Sequence, residues 1–249
     1  MARNQSIVRL SGFIDGVTYV ETRTGKQSRS RSSLNKAKMN ANPKFRKIRM
    51  IQKELTGFSK YGALFRLGIR SELRRVKSFM GVQRLNKRMV FIKNLDVTNR
   101  LGLRNVATGL LTVEGKNYLK NFDFYGMTTV SALVQRPFAL DLSIGEARID
   151  GFDVARDLIA PANCTHVSFK SVMIGLDFDL SVESTTRSSL VTMPLDAPVA
   201  DLVLKTDTLP TVTTNVFYLV QILFYEEISG FLELTELDSA AFTLLEIEV

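Results

Sequence analysis

Near residue 95 the spacing of apolar residues changes, and that change restricts the chain to an α+β fold. Ahead of it, Phe45, Ile48, Ile51, Leu55 and Phe58 recur every three or four positions, the period of one face of an α-helix. Beyond it, short β-type runs are separated by Gly, Pro, Asn and Asp, the pattern of an antiparallel sandwich. The runs predict strands over Thr128 to Gln135, Phe138 to Ser143, Ala147 to Phe152, His166 to Leu180, Ala200 to Thr206, Val212 to Glu226, Leu232 to Leu237 and Phe242 to Val249. The expected organisation is an N-terminal β-hairpin and basic helical region over residues 1–94, followed by an acidic antiparallel β-sandwich over residues 95–249. No fixed-period repeat points to a solenoid or propeller.

The front of the chain opens with a hairpin. Ser6 to Ile14 reads as a strand, Asp15-Gly16 as a tight turn because Gly tolerates positive φ, and Val17 to Arg23 as the returning strand. Thr24-Gly25-Lys26 marks another turn. Gln27 to Ser33, alternating Ser and Arg with no apolar residue to bury, reads as a third edge strand or a mobile arm. Asn42-Pro43 is a helix start, Asn capping free N–H groups and Pro preset for the first turn. Gly57-Phe58-Ser59 predicts an interruption, after which Tyr61, Leu64, Phe65, Leu73 and Val76 outline a second helix with Gly68 in its middle. Past Gly81, Val82, Leu85 and Met89 fit either a third short helix or a strand entering at Val90.

Charge divides the chain as sharply as periodicity does. Residues 1–100 hold 24 Lys and Arg against 5 Asp and Glu, a balance of +19; residues 101–249 hold 9 against 20, a balance of −11, and the two sum to the net +8. A dense positive region attracts polyanions, anionic surfaces or the acidic face of another molecule. The candidate binding residues are Arg29 and Arg31 in the Ser-Arg stretch, then Lys44, Arg46, Lys47, Arg49 and Lys53 on the first helix. Arg66, Arg70, Arg74, Arg75 and Lys77 follow on the second, and Arg84, Lys87 and Arg88 beyond it. Arg suits bidentate contact with phosphate, and no helix-turn-helix, zinc-finger, RRM or KH signature adds base readout, so nucleic-acid binding would be directed at the backbone. The competing explanation is a solvated helix surface complementary to the acidic sandwich of the same or a neighbouring subunit. Phe45, Phe58, Tyr61, Phe65, Phe79 and Phe91 interleave with these cations, but their helical spacing marks most of them as core rather than as base-stacking platforms.

Chemistry has little to work with. Cys164 and His166 are the only cysteine and histidine; two residues apart in a strand they share a face, yet a nucleophile pair also needs an orienting third group. Two ligands cannot make a structural zinc site. Asp177 with Asp179, and Asp150 with Asp153, lack EF-hand spacing and read as the wet face of strands. Gly25-Lys26 resembles the end of a phosphate-binding loop, but Val20 stands where the first glycine belongs and Gln27 replaces the hydroxyl residue. Neither an enzyme, a cofactor nor a small-molecule substrate is expected. The longest apolar run, Val216 to Phe224, contains Gln221 and is about half the ~20 residues of a membrane-spanning helix, so it suits a buried strand and no membrane partner. With a lone cysteine and no apolar secretory core in the opening MARNQSIVRLS, the expected compartment is the cytoplasm.

Four stretches carry a resemblance: LSGFIDGVTYVETRTGK, NANPKFRKIRMIQKELTGFSKYGALFRLGI, LIAPANCTHVSF and FYLVQILFYEEISG. Through them the chain resembles a family of uncharacterised bacterial proteins, a domain of unknown function of similar length. The resemblance implies a bacterial, cytoplasmic protein of one shared architecture and carries over no catalytic or binding residue; Gly or Ala in the family stands where this chain has Asn163-Cys164. Two functional expectations follow from the residues. The first is a non-enzymatic nucleic-acid-binding protein with the sandwich as scaffold or oligomer contact. The second is a self-assembling structural subunit, cellular or viral, whose basic region docks on the acidic sandwich of the next copy.

Overall fold

The computed structural model of the protein describes residues 2–3, 11–22, 25–30, 36–76, 78, 80–126, 128–235 and 239–249. The chain forms two compact units that divide between Met50 and Ile51. The first contains a four-stranded antiparallel sheet, β1 (Ala2–Arg3), β2 (Gly12–Ile14), β3 (Val17–Thr22) and β4 (Gly25–Ser30), in the order β1-β4-β3-β2. Asp15 and Gly16 both take positive φ, 47° and 78°, the type I′ geometry that matches the twist of the strands they join. The Ser-Arg stretch is neither edge nor arm as far as Ser30: β4 pairs with β3 on one side and β1 on the other. Residues 6–10 of the expected first strand, and residues 31–33 of the Ser-Arg stretch, lie outside the described residues. No described residue from 11 to 50 is buried.

After helix α1 (Lys36–Ala41), the Asn42 side chain accepts a hydrogen bond from Lys44 N at 2.9 Å and starts a 3₁₀ turn, Pro43–Phe45. That turn runs directly into α2 (Arg46–Gly68). Helix α2 passes through Gly57-Phe58-Ser59 without a break, contrary to the interruption expected there. A glycine in a helix costs about 1 kcal/mol relative to alanine, whereas Phe58 and Phe65 on the same helix are buried in the core, each worth about 1.5–3 kcal/mol.

The second unit has three layers. Helices α2, α3 (Arg70–Arg75), α4 (Gly81–Asn94), α5 (Val106–Leu110) and α6 (Val113–Leu119) cover one face of a six-stranded antiparallel sheet. Its centre is β7 (His166–Asp177) paired with β11 (Val216–Ile228), in unbroken register from Gly175↔Val216 to His166↔Tyr225. Strands β8 (Val182–Arg187) and β9 (Val191–Pro194) line the far edge of β7, and β13 (Ala241–Glu248) and β12 (Phe231–Leu234) line the far edge of β11. A three-stranded sheet, β10 (Ala200–Lys205), β6 (Glu146–Phe152) and β5 (Ala139–Asp141), covers the other face.

Alternation along β11 explains this layering. Phe217, Leu219 and Leu223 point into the core shared with the helices; Val216, Tyr218, Val220, Ile222 and Phe224 point into the core shared with the small sheet. Because both faces are covered, the strand reads as a continuous apolar run.

Three expectations need correction. The boundary does not fall at residue 94, because Leu85, Met89 and Ile92 of α4 share one core with Ile174, Phe217 and Phe242 of the strands. Residues 128–135 form no strand; Val130–Leu133 is a single helical turn, α7, with Val130 and Leu133 turned into the sandwich core. Helices α5, α6 and the single turn α8 (Val154–Asp157) persist beyond residue 95, started by Asn105, Thr112 and Asp153, whose side chains accept from backbone N–H groups two or three residues on.

Since Gly57 sits in helical backbone and a methyl group added to its Cα would meet nothing within 4 Å, Gly57→Ala should raise stability by about 0.4–1 kcal/mol, read as a higher midpoint in thermal or urea unfolding. A fall would mean that the helix is not continuous there.

Candidate nucleic-acid interface

The cations sort into three groups once the fold is in place. The first is free at the surface. From Thr22 to Lys53 the chain carries eleven Lys and Arg and no Asp or Glu. Within it Arg29, Lys44, Arg46, Lys47 and Lys53 are exposed, and none stands in an ion pair among the described residues. Arg70, Arg74 and Arg75 of α3 are likewise exposed and outside any such pair. Arg31 and Lys77 lie outside the described residues.

The second group is tied to backbone. Arg49 donates from Nη1 to the carbonyls of Met39 (2.6 Å) and Asn42 (3.0 Å), satisfying groups at the end of α1. Arg66 does not share that tie: it is half-buried, burial pushes its guanidinium pKa down, and its buried Nη1 meets no hydrogen-bond partner among the described residues.

Arg84, Lys87 and Arg88 of α4 line a cavity of about 410 Å³ with Tyr118, Asn121, Asp123, Thr128 and Thr129. Two of the three are structural there. Arg84 donates to the carbonyls of Asp123 (2.9 Å) and Phe124 (3.1 Å), and burial lowers its pKa against the opposing pull of Asp123. Arg88 donates to the Tyr118 carbonyl (2.8 Å) with its guanidinium 4.4 Å above the Tyr118 ring. Tyr118 in turn stacks on Phe91 at 3.9 Å. The segment that Arg84 holds runs along the outer edge of β13, with backbone bonds from Phe124 N to Phe242 O and from Leu244 N to Phe122 O. Lys87 alone of the three is exposed.

The third group, absent from the sequence-level candidates, lies inside the fold. Glu54 is buried on α2 and receives Lys93, Arg104 (3.0 Å) and the Gly102 N–H (2.7 Å). Burial alone would push its carboxyl up; the Arg104, Lys93 and Gly102 donors reverse that and hold its pKa at about 2. Glu72 is arranged the same way. Burial opposes its charge, but Arg187 (2.9 Å), Ser71 (2.8 Å) and Lys170 (3.1 Å) hold its pKa at about 2. Asp96 accepts from the backbone of Thr98, Asn99 and Asn105 and fixes the turn after α4. The signal for Glu54 was present in the sequence: an acid among eleven neighbouring cations, four residues before buried Phe58 on the core face.

Most interleaved aromatics belong to the core or its margin. Phe58 and Phe65 are buried, Tyr61 packs at 4.7 Å on Phe178, and Phe45 and Phe91 are half-buried; Phe79 is outside the described residues. Cys164 and His166 bond to separate threonines, Sγ to Thr235 Oγ1 at 3.4 Å and Nδ1 to Thr165 Oγ1 at 2.9 Å. Among the described residues no group of three or more His, Cys, Asp or Glu side chains is placed to hold a metal ion, and no helix is long and apolar enough to cross a membrane.

Compared with protein-family models, with curated proteins and with solved structures, the chain matches none. The site therefore rests on its own geometry.

Replacing Glu54 with Gln would leave Lys93 and Arg104 facing a neutral group, so urea unfolding at pH 7 should show a loss of about 3–5 kcal/mol. The pH dependence has a defined sign. A carboxyl lowered from 4.5 to about 2 in the folded state contributes its full stability above pH 4.5 and loses it as pH falls toward 2. Wild-type protein should weaken across that window, and Glu54→Gln should weaken less.

Proposed function

We propose that this protein binds the phosphate backbone of nucleic acid without catalysis, through the exposed cations between Arg29 and Lys53. The observation that carries this reading is the 32-residue span from Thr22 to Lys53, with eleven cations, no acid, and exposed Lys44, Arg46, Lys47 and Lys53 outside any ion pair among the described residues. Like charges held this close repel one another, and a polyanion relieves the repulsion while releasing its own counterions.

Cations of the folded core support the same reading by contrast. Lys93, Arg104, Lys170 and Arg187 each have a buried carboxylate, whereas Lys44, Arg46, Lys47 and Lys53 stand outside any ion pair among the described residues. The exposed side chains present point charges and guanidinium forks rather than a shaped groove, which suits sequence-independent contact. Arg70, Arg74, Arg75 and Lys87 of the second unit are separate exposed places where nucleic acid gains contacts; Arg84, Arg88 and Arg49 serve chiefly to hold backbone. By the family resemblance, the setting of this activity is a bacterial cytoplasm.

Fluorescence anisotropy with random-sequence DNA and RNA across a salt series tests the proposal. Binding should weaken linearly on log–log axes with little preference for sequence. The triple change Lys44→Ala, Arg46→Ala, Lys47→Ala should flatten the slope by about 2–3, near the ~0.9 per phosphate contact of duplex DNA. Absence of binding at 50 mM salt, or a slope unmoved by the triple change, would sink it.

A further inference from the structure

Strand β11 continues past the last residue that β13 pairs, Ile222, and turns back as β12 through Ser229 and Gly230, both at positive φ. Every residue from Glu226 to Leu234 is exposed. The hairpin register sets Ile228 opposite Phe231 and Glu226 opposite Glu233. Strand alternation puts these four side chains on one face, an apolar tip backed by two carboxylates directly across from one another. Two like charges so placed destabilise a hairpin, and Phe231 is 75% exposed. Both features call for the same kind of occupant: an apolar surface flanked by cations.

Helix α2 has that surface. Ile48, Ile51 and Leu55, spaced i, i+3, i+7, are 43–48% exposed, although they continue the stripe that buries Phe58 and Phe65 further along. Lys44 and Lys47 stand exposed at the same end of the helix, outside any ion pair among the described residues.

We infer that the occupant is a second copy of this chain. The Glu226–Leu234 hairpin of one copy lies on the α2 face of the next, Ile228 and Phe231 against Ile48, Ile51 and Leu55, and Glu226 and Glu233 against Lys44 and Lys47. The two surfaces are different patches of one chain, so the contact is head-to-tail and propagates into a ring or a filament. A nine-residue hairpin on three helical turns falls below the ~1,200 Å² of a stable standard interface, so each contact is weak and the assembly depends on concentration.

Nucleic-acid-free protein tests this independently of polyanion binding. In a Cys164→Ala background, Phe231→Cys and Ile51→Cys proteins are mixed at about 100 µM under mild oxidation, a concentration suited to weak contacts. The expected product is a disulfide between the two different variants, with little between like variants. Light scattering of the unmodified chain should give a mass above the 27.9 kDa monomer. Glu226→Lys with Glu233→Lys should return the mass to monomer, and mixing that protein with Lys44→Glu, Lys47→Glu protein should restore association. Circular dichroism checks that each variant is folded. A monomer at every concentration overturns the inference. So does a Phe231→Cys product with itself alone, which means edge-to-edge strand pairing, or an Ile51→Cys product with itself alone, which means helix pairing. Lys44 and Lys47 also serve the proposed polyanion contact, so a neighbour's hairpin and a nucleic acid compete for them. Phe231→Ser, which removes the apolar contact and alters no charge, should return the mass to monomer while salt-dependent nucleic-acid binding persists, so loss of one property does not imply loss of the other.

Discussion

The pairing of β7 with β11 is the constraint on which the rest of the second unit depends. Ten residues of each strand face one another in continuous antiparallel register, and neither strand has a face in water over that length. Such a pair cannot exist until both of its faces are covered. One is covered by helices α2 to α6 and the other by the three-stranded sheet, so both layers are consequences of one apolar ribbon. Polar groups caught in the ribbon are matched in turn: Gln221 donates to the Tyr125 hydroxyl, Tyr125 donates to the Glu72 carbonyl, and Tyr218 donates to the Leu204 carbonyl. Burial pushes the Tyr218 phenol up to about 12, which keeps it a neutral donor.

Covering the ribbon with a cationic helix layer brings charge into the interior, and the fold meets that with buried acids. Glu54 gathers cations from α4 and the turn after it; Glu72 gathers Lys170 from β7 and Arg187 from β8 and so fastens α3 to the sheet. Arg187 also donates to the carbonyl of Gly68, at the end of α2. Gly68 has no room for a larger residue, since a Cβ there would meet the Thr185 hydroxyl at 2.6 Å. These networks separate the cations with a structural duty from those facing solvent, a distinction on which both functional proposals rest.

Much of the strand set was legible because it is written in short apolar runs: β6, β7, β10, β11 and β13 all fall within or beside the expected segments. β8 and β9 were not, since VESTTR and VTMP bury little and are strands because β7 offers them a hydrogen-bonding edge. Residues 128–135 failed in the opposite sense. Their apolar residues reach the core from one helical turn, which a run of that length cannot distinguish from a strand. Of the candidate site, the cationic stretch could be counted directly, but Arg84, Arg88 and Arg49 looked like its other members until backbone carbonyls claimed them.

By itself the sequence determined the α+β class, the positions of the main strands and the uneven division of charge, because periodicity and composition are local properties. Tertiary structure alone decided that residues 51–94 share a core with the strands, that Glu54 and Glu72 sit at the centres of buried charge clusters, and that Ile48, Ile51 and Leu55 stay in water while Phe58 does not. Each of those outcomes depends on which distant segment arrives against a given helix face, and no spacing within the helix encodes where its covering layer ends.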